Sequence, residues 1–255
     1  MALGVPADRA SAGETTSDNQ TVITTTSAIP AGHYIIATCI SDAPNTTDGE
    51  TAYHTALTVG TVALTKRREQ TEGGASGTAA IVTSQWYGVN SGAEIAVGAN
   101  VTLDLSDAVA DKRIWVISGT RDTSKTFEAA DGTSLAATNY VSAGSNDMVA
   151  QSTSGMTSEE HLHVRSAGCD SASTGFTGTA TWTEMNTNRL VTGSNGVCME
   201  YKISTSTGET SDPSSNAGNG TEWATILAAY REVTAGGTPT SFPFRRRSVA
   251  HLLIR

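Results

Sequence analysis

The sequence predicts an all-β fold, an antiparallel β-sandwich of jelly-roll type with extended N- and C-terminal arms, and three observations predict it. Short runs of alternating β-branched and small residues recur, as in residues 20–26 (QTVITTT) and 113–119 (RIWVISG), the pattern of half-buried strands. Clusters of Gly, Asn, Asp and Ser break these runs at short intervals, at 72–77, 90–92, 131–132, 193–196 and 214–220. Finally, Thr and Ser supply 67 of the 255 residues while charged residues make up 16% and aromatics 5%, so the exterior is rich in hydroxyls rather than charge.

Residues 1–18 are polar and aperiodic, which reads as an extended arm rather than a packed element. The first strand covers 20–26. After a turn at Pro30-Ala31-Gly32, residues 33–40 (HYIIATCI) are almost continuously apolar, as a strand covered on both faces would be. Residues 41–49 then form a loop of turn-favouring types. Further strands are expected at 56–65, 78–87, 101–105, 113–120, 161–167, 179–185, 197–206 and 222–233. The last of these carries Ala and Leu that also suit a helix, but the preceding Asn219-Gly220 and its bulky residues favour a strand. One sandwich domain over 19–233 accommodates all of these elements. Residues 234–244 are linker-like in composition, and 245–255 (RRRSVAHLLIR) form a basic and apolar tip.

The formal net charge of −9 argues against a nucleic-acid groove, which needs clustered Lys and Arg. The exception is the C-terminal arm, where Arg245, Arg246, Arg247 and Arg255 stand without an acid. Such a tip reads either as a frayed edge strand or as an arm that docks on a partner. In the docking reading Arg245, Arg246 and Arg247 pair with acidic groups, and Leu252, Leu253 and Ile254 fill an apolar groove. Cys39, Cys169 and Cys198 contain no Cys-x-x-Cys pair, so they read as small buried apolar residues rather than as a zinc or disulfide framework. No apolar run is long enough to span a membrane, and the N-terminal residues lack the pattern of a secretory signal.

Few residues suggest chemistry. His161-Leu162-His163 would place two imidazoles on one face of a strand, following Glu159 and Glu160. A cupin-like His-x-His pair would need a further Glu shortly downstream, and Val164–Gly168 supplies none. The expectation is therefore two polar side chains on a solvent face, with no metal and no cofactor. Asp104, Asp107 and Asp111 read as loop carboxylates. There is no Gly-x-Ser-x-Gly elbow, Walker motif or dinucleotide fingerprint. Trp86, Tyr87, Trp182 and Trp223 are candidate sugar-stacking platforms, set against the commoner role of strand aromatics as core.

Three groups of residues resemble β-sandwich structural proteins of tailed bacteriophages: Thr21-Val-Ile-Thr with Ile29-Pro-Ala-Gly32 and Ile35-Ile-Ala; Ala99-Asn-Val-Thr-Leu-Asp-Leu with Ile114-Trp-Val-Ile-Ser-Gly; and Glu222-Trp-Ala-Thr-Ile-Leu-Ala-Ala-Tyr. The resemblance covers about residues 20–233. It implies a non-enzymatic virion component, either a capsid decoration subunit or a tail or baseplate accessory protein, that assembles in the host cytoplasm with copies of itself and other virion proteins. It carries over no catalytic residue. Against it stand a carbohydrate-binding receptor module of a tail fibre, recognising a host surface glycan, and an enzyme, for which His161 and His163 would be the place to look.

Overall fold

Alternating apolar residues pair into three antiparallel sheets stacked face to face. The computed structural model describes residues 2–42, 49, 52–72, 81–130, 135–140, 148–170, 176–185, 190–192, 195–215 and 222–234. The middle sheet contains β1 (Ala7–Glu14), β3 (Tyr34–Asp42), β6 (Thr65–Glu72), β7 (Ile81–Val89) and β9 (Lys112–Gly119), in the order β1-β9-β3-β7-β6. One outer sheet contains β2 (Asp18–Thr24), β4 (His54–Val59), β5 (Val62–Ala63) and β8 (Asn100–Val109), in the order β2-β8-β4-β5. Without the edge strand β6, these two orders are those of a jelly roll, all within residues 7–119.

The second half of the chain adds the third sheet. Its path runs β10 (Lys125–Ala129), β20 (Glu222–Thr234), β13 (His161–Asp170), β17 (Asn195–Ser204) and β15 (Thr183–Glu184), with β11 (Leu135–Tyr140) also on β20 and β16 (Leu190–Thr192) on β17. The expected strand at 222–233 is thus a strand, because β13 pairs with Trp223–Arg231 on one edge while β11 and then β10 pair with the other. Two short pairs, β12 (Gln151–Ser152) with β18 (Thr210–Ser211) and β14 (Phe176–Thr177) with β19 (Ser214–Ser215), complete the elements described.

The middle sheet is the shared wall of two cores. On β3, Ile35, Ala37 and Cys39 face the β2-β8-β4-β5 sheet with Leu57, Leu103 and Val101, whereas Tyr34, Ile36 and Ile40 face the third sheet with Leu162, Val164 and Tyr230. β9 alternates in the same way, Ile114 and Val116 to one side and Trp115 and Ile117 to the other. Both strands are therefore buried on both faces, the condition that suppresses polar alternation.

Polar bonds cross the second core. Tyr230 Oη donates to Gln85 Oε1 at 2.7 Å, Gln85 Nε2 donates to Ser166 Oγ at 2.7 Å, and Ser166 Oγ shares a hydrogen with Thr38 Oγ1 at 2.5 Å. These pairings join β3 and β7 to β13 and β20 in one relative position. Gly168 lies on the same interface. A Cβ there would stand 2.5 Å from Thr83 Oγ1 and 2.6 Å from Ile40 Cγ2, so the two sheets approach as closely as a glycine permits. Gly168→Val should cost about 1–3 kcal/mol through overpacking, measured as a lower urea midpoint; an unchanged midpoint would show that the sheets yield freely there.

The N-terminal stretch differs from its sequence-based expectation. Residues 7–14 are extended, but they pair with β9 as an edge strand, and Leu3 and Ala10 are buried. Tyr34 Oη donates to the Gly4 carbonyl at 2.6 Å, and Leu3 N donates to Glu160 Oε1 at 2.5 Å. Buried Lys112 holds the β1–β2 turn: its Nζ donates to Thr16 O at 2.6 Å, Asp18 Oδ1 at 2.7 Å and Val109 O at 2.9 Å. Backbone and ammonium bonding docks this segment with Leu3 and Ala10 as small apolar anchors, so its composition reads as a free arm.

Candidate functional site

Among the described residues, a row of buried ionisable side chains lies on the far face of the third sheet. On β13 the apolar Leu162 and Val164 point to the core, so His161, His163 and Arg165 point the other way. Antiparallel register sets Ser204, Lys202 and Glu200 of β17 beside them on one side, and Arg231, Ala229 and Leu227 of β20 on the other. An exposed sheet would leave this row in water. Instead, segments carrying β12, β14, β18 and β19 lie over it, and His161, His163, Arg165 and Glu200 are all buried.

The cover is fastened by charge-assisted hydrogen bonds. Arg165 Nη2 donates to Val149 O at 2.8 Å and Thr225 Oγ1 at 3.3 Å, and its Nη1 donates to Ser211 O at 3.2 Å. Glu200 accepts from Ser211 Oγ at 2.6 Å, Thr179 N at 2.7 Å and Thr179 Oγ1 at 2.8 Å. Burial lowers the Arg165 guanidinium to about 10, with the Glu200 carboxylate opposing that shift, so the side chain stays cationic at neutral pH.

The two histidines sit at the other end of the row. Their ring centroids are 6.0 Å apart, and Trp182 meets His163 edge-on at 6.3 Å. His163 Nδ1 pairs with Thr153 Oγ1 at 3.1 Å. Among the described residues, His163 Nε2 and the ring nitrogens of His161 have no hydrogen-bond partner of normal geometry, although the Glu159 backbone lies close enough to favour the charged His161 ring. Burial pushes both imidazoles down, His163 to about 4. These rings were expected on a solvent face. The cover over β13, which no local pattern announces, puts them inside.

A second polar group is enclosed between the jelly-roll sheets. His54 Nδ1 pairs with Ser84 Oγ at 2.6 Å and Nε2 with Ser41 Oγ at 3.0 Å. Glu69 accepts from the amides of Tyr53 and His54 at 2.6 and 3.0 Å and from Lys66 Nζ at 2.9 Å. No carboxylate orients the imidazole, and burial pushes the neighbouring Cys39 thiol upward, so the group is arranged as a structural bond network rather than as an activated nucleophile.

The aromatic candidates are not gathered into a platform. Trp223 is fully buried and Trp86 is 2% exposed, with Lys66 Nζ 5.2 Å from the Trp86 ring centre. Trp182 is buried against His163, and Tyr87 packs on Phe127 and Tyr230. Sugar stacking needs an open ring face, and packing occupies these, so the stacking expectation for Trp86, Trp182 and Trp223 is corrected to core. Arg245, Arg246, Arg247, Leu252, Leu253 and Ile254 lie outside the described residues. The three cysteines are buried.

Sequence reading missed Arg165 and Glu200. The available signal was the alternation His161-x-His163-x-Arg165 between apolar residues, which fixes a polar face but not what covers it. Neither a family model, a curated protein nor a solved structure matches this chain.

Proposed function

We propose that this chain is a non-enzymatic structural component of a bacteriophage virion, a capsid decoration subunit or a tail or baseplate accessory protein, that binds copies of itself and other virion proteins. The observation that carries this reading is the jelly-roll strand order of residues 7–119, an architecture that viral capsid subunits use repeatedly. The strand order and the bacteriophage-like sequence motifs support the reading together, by analogy of architecture. The open face of the β2-β8-β4-β5 sheet adds support. Gln20, Val22, Thr24, Ala56, Thr58, Thr102 and Asp104 form a hydroxyl-rich surface on it, with little charge to oppose contact with an identical neighbour.

Lectins also use jelly rolls, but glycan recognition would here need residues other than the buried Trp86, Trp182 and Trp223. Light scattering and electron microscopy of the full chain beside a 1–239 truncation test the proposal. Ordered oligomers of the full chain that dissociate on truncation, with the β-sheet circular dichroism intact, are expected. Monomers in both preparations, with glycan binding on an array, would overturn the assembly reading.

A further inference from the structure

We propose that His161 and His163 form a binding site for a divalent transition cation of the Zn2+ and Cu2+ class. The geometry comes from the pleat. Two residues apart on β13, the rings project from one face with centroids 6.0 Å apart. An imidazole bound at about 2.1 Å through one nitrogen puts its ring centre about 3 Å from the cation, so this separation admits a single shared ion.

The second observation is the deficit of partners. Among the described residues His163 Nε2 is buried without a hydrogen bond, and neither His161 ring nitrogen makes one of normal geometry, the Glu159 backbone approaching that ring; both side chains are completely shielded from solvent. Orphaned buried polar atoms of this kind call for an ion or a water. The other His163 nitrogen, Nδ1, is engaged by Thr153 Oγ1, the outer contact that fixes a ligand ring and presents Nε2.

Local charge permits a cation. Lys202 and Arg231 oppose positive charge on the pair, but each is held by a carboxylate, Lys202 Nζ by Glu209 Oε2 at 2.7 Å and Arg231 Nη2 by Glu128 Oε1 at 3.0 Å. The Glu159 and Glu209 carboxylates both act on the pair in the direction that favours positive charge. Among the described residues no group of three or more His, Cys, Asp or Glu side chains is placed to hold a metal. The ligand set is thus two imidazoles with the remaining positions left to water, a softer site for nitrogen-preferring ions than for Mg2+ or Ca2+. Entry requires the cover to open, so binding equilibrates slowly.

Full-length protein, stripped with a chelator and incubated with ZnCl2, tests the site by calorimetry and thermal unfolding. One Zn2+ per chain and a melting temperature raised by about 5 °C at saturation are expected, with MgCl2 giving no shift. His161→Asn and His163→Asn should each weaken binding at least tenfold, while His33→Asn leaves it unchanged. Because the first two variants alter a buried face, the wild-type Cu2+ complex gives an independent reading: its electron spin-echo modulation should show two imidazole ligands, lost when His161 and His163 are both replaced. No uptake, or uptake and spectra indifferent to both residues, would overturn the site and leave the orphaned nitrogens to buried water.

Discussion

Arg165→Ala should cost the fold about 3–5 kcal/mol, the penalty for removing a buried charge that compensates its buried neighbour Glu200 and fastens the cover. The arginine bonds to Val149, Ser211 and Thr225, and its loss leaves Glu200 charged and enclosed beneath the cover. Arg165→Lys should recover little, since a compact ammonium cannot reach acceptors as widely spread as Val149 O, Ser211 O and Thr225 Oγ1, which the two arms of the guanidinium serve. The double variant Arg165→Met with Glu200→Gln should lose less than the single alanine, because no lone buried charge is left. Urea unfolding checks the ranking, and limited proteolysis within 148–156 and 207–215 checks its location. A single-variant loss below about 1 kcal/mol would mean that the pair does not hold the cover.

The second large effect is acid sensitivity through His54. Burial holds this imidazole near 4, well below its ordinary 6.5. The unfolded chain therefore takes up the proton first. Stability from the neutral ring is complete above about pH 6.5 and is lost as pH falls toward 4, up to about 3 kcal/mol. The groups around it from each packed strand are Glu69 and Lys66 of β6, Cys39 and Ser41 of β3, Ser84 and Trp86 of β7, and Leu105 of β8. Of the charged ones, Glu69 favours protonation and Lys66 opposes it. Urea midpoints of wild type and His54→Gln at pH 7.5 and 4.5 isolate the term: the wild type should fall more steeply. Equal slopes would remove His54 from the acid response.

How much of this was legible depended on what each strand needed from its own side chains. The continuous apolar run of β3 announced a strand covered on both faces, and β2, β8, β9 and β17 were legible from β-branched patterning. β6 reads TKRREQTE and carries no apolar signal; its buried half is satisfied by hydrogen bonds, as with Glu69 and the amides of Tyr53 and His54. β1 was misread for a related reason, since Lys112 and β9 dock it. The site divided in the same way. The His161-x-His163 pair is visible in any reading, but its burial comes from segments 148–156 and 207–215, remote in sequence from β13 or irregular in pattern. Period and propensity describe a strand's two faces, and they do not reveal which face a distant loop will cover.

The order of the chain along the stack bears on biosynthesis. Every strand of the jelly roll falls within residues 7–119, and the strands of the third sheet fall within 125–234. A ribosome therefore releases a complete two-sheet unit before the layer that shields its second face exists. During that interval Tyr34, Ile36, Ile40, Trp115 and Ile117 present an uncovered apolar surface. The second half of the chain acts on the first as a tethered, late-arriving lid, and the yield of native protein depends on that lid reaching its face before another nascent chain does.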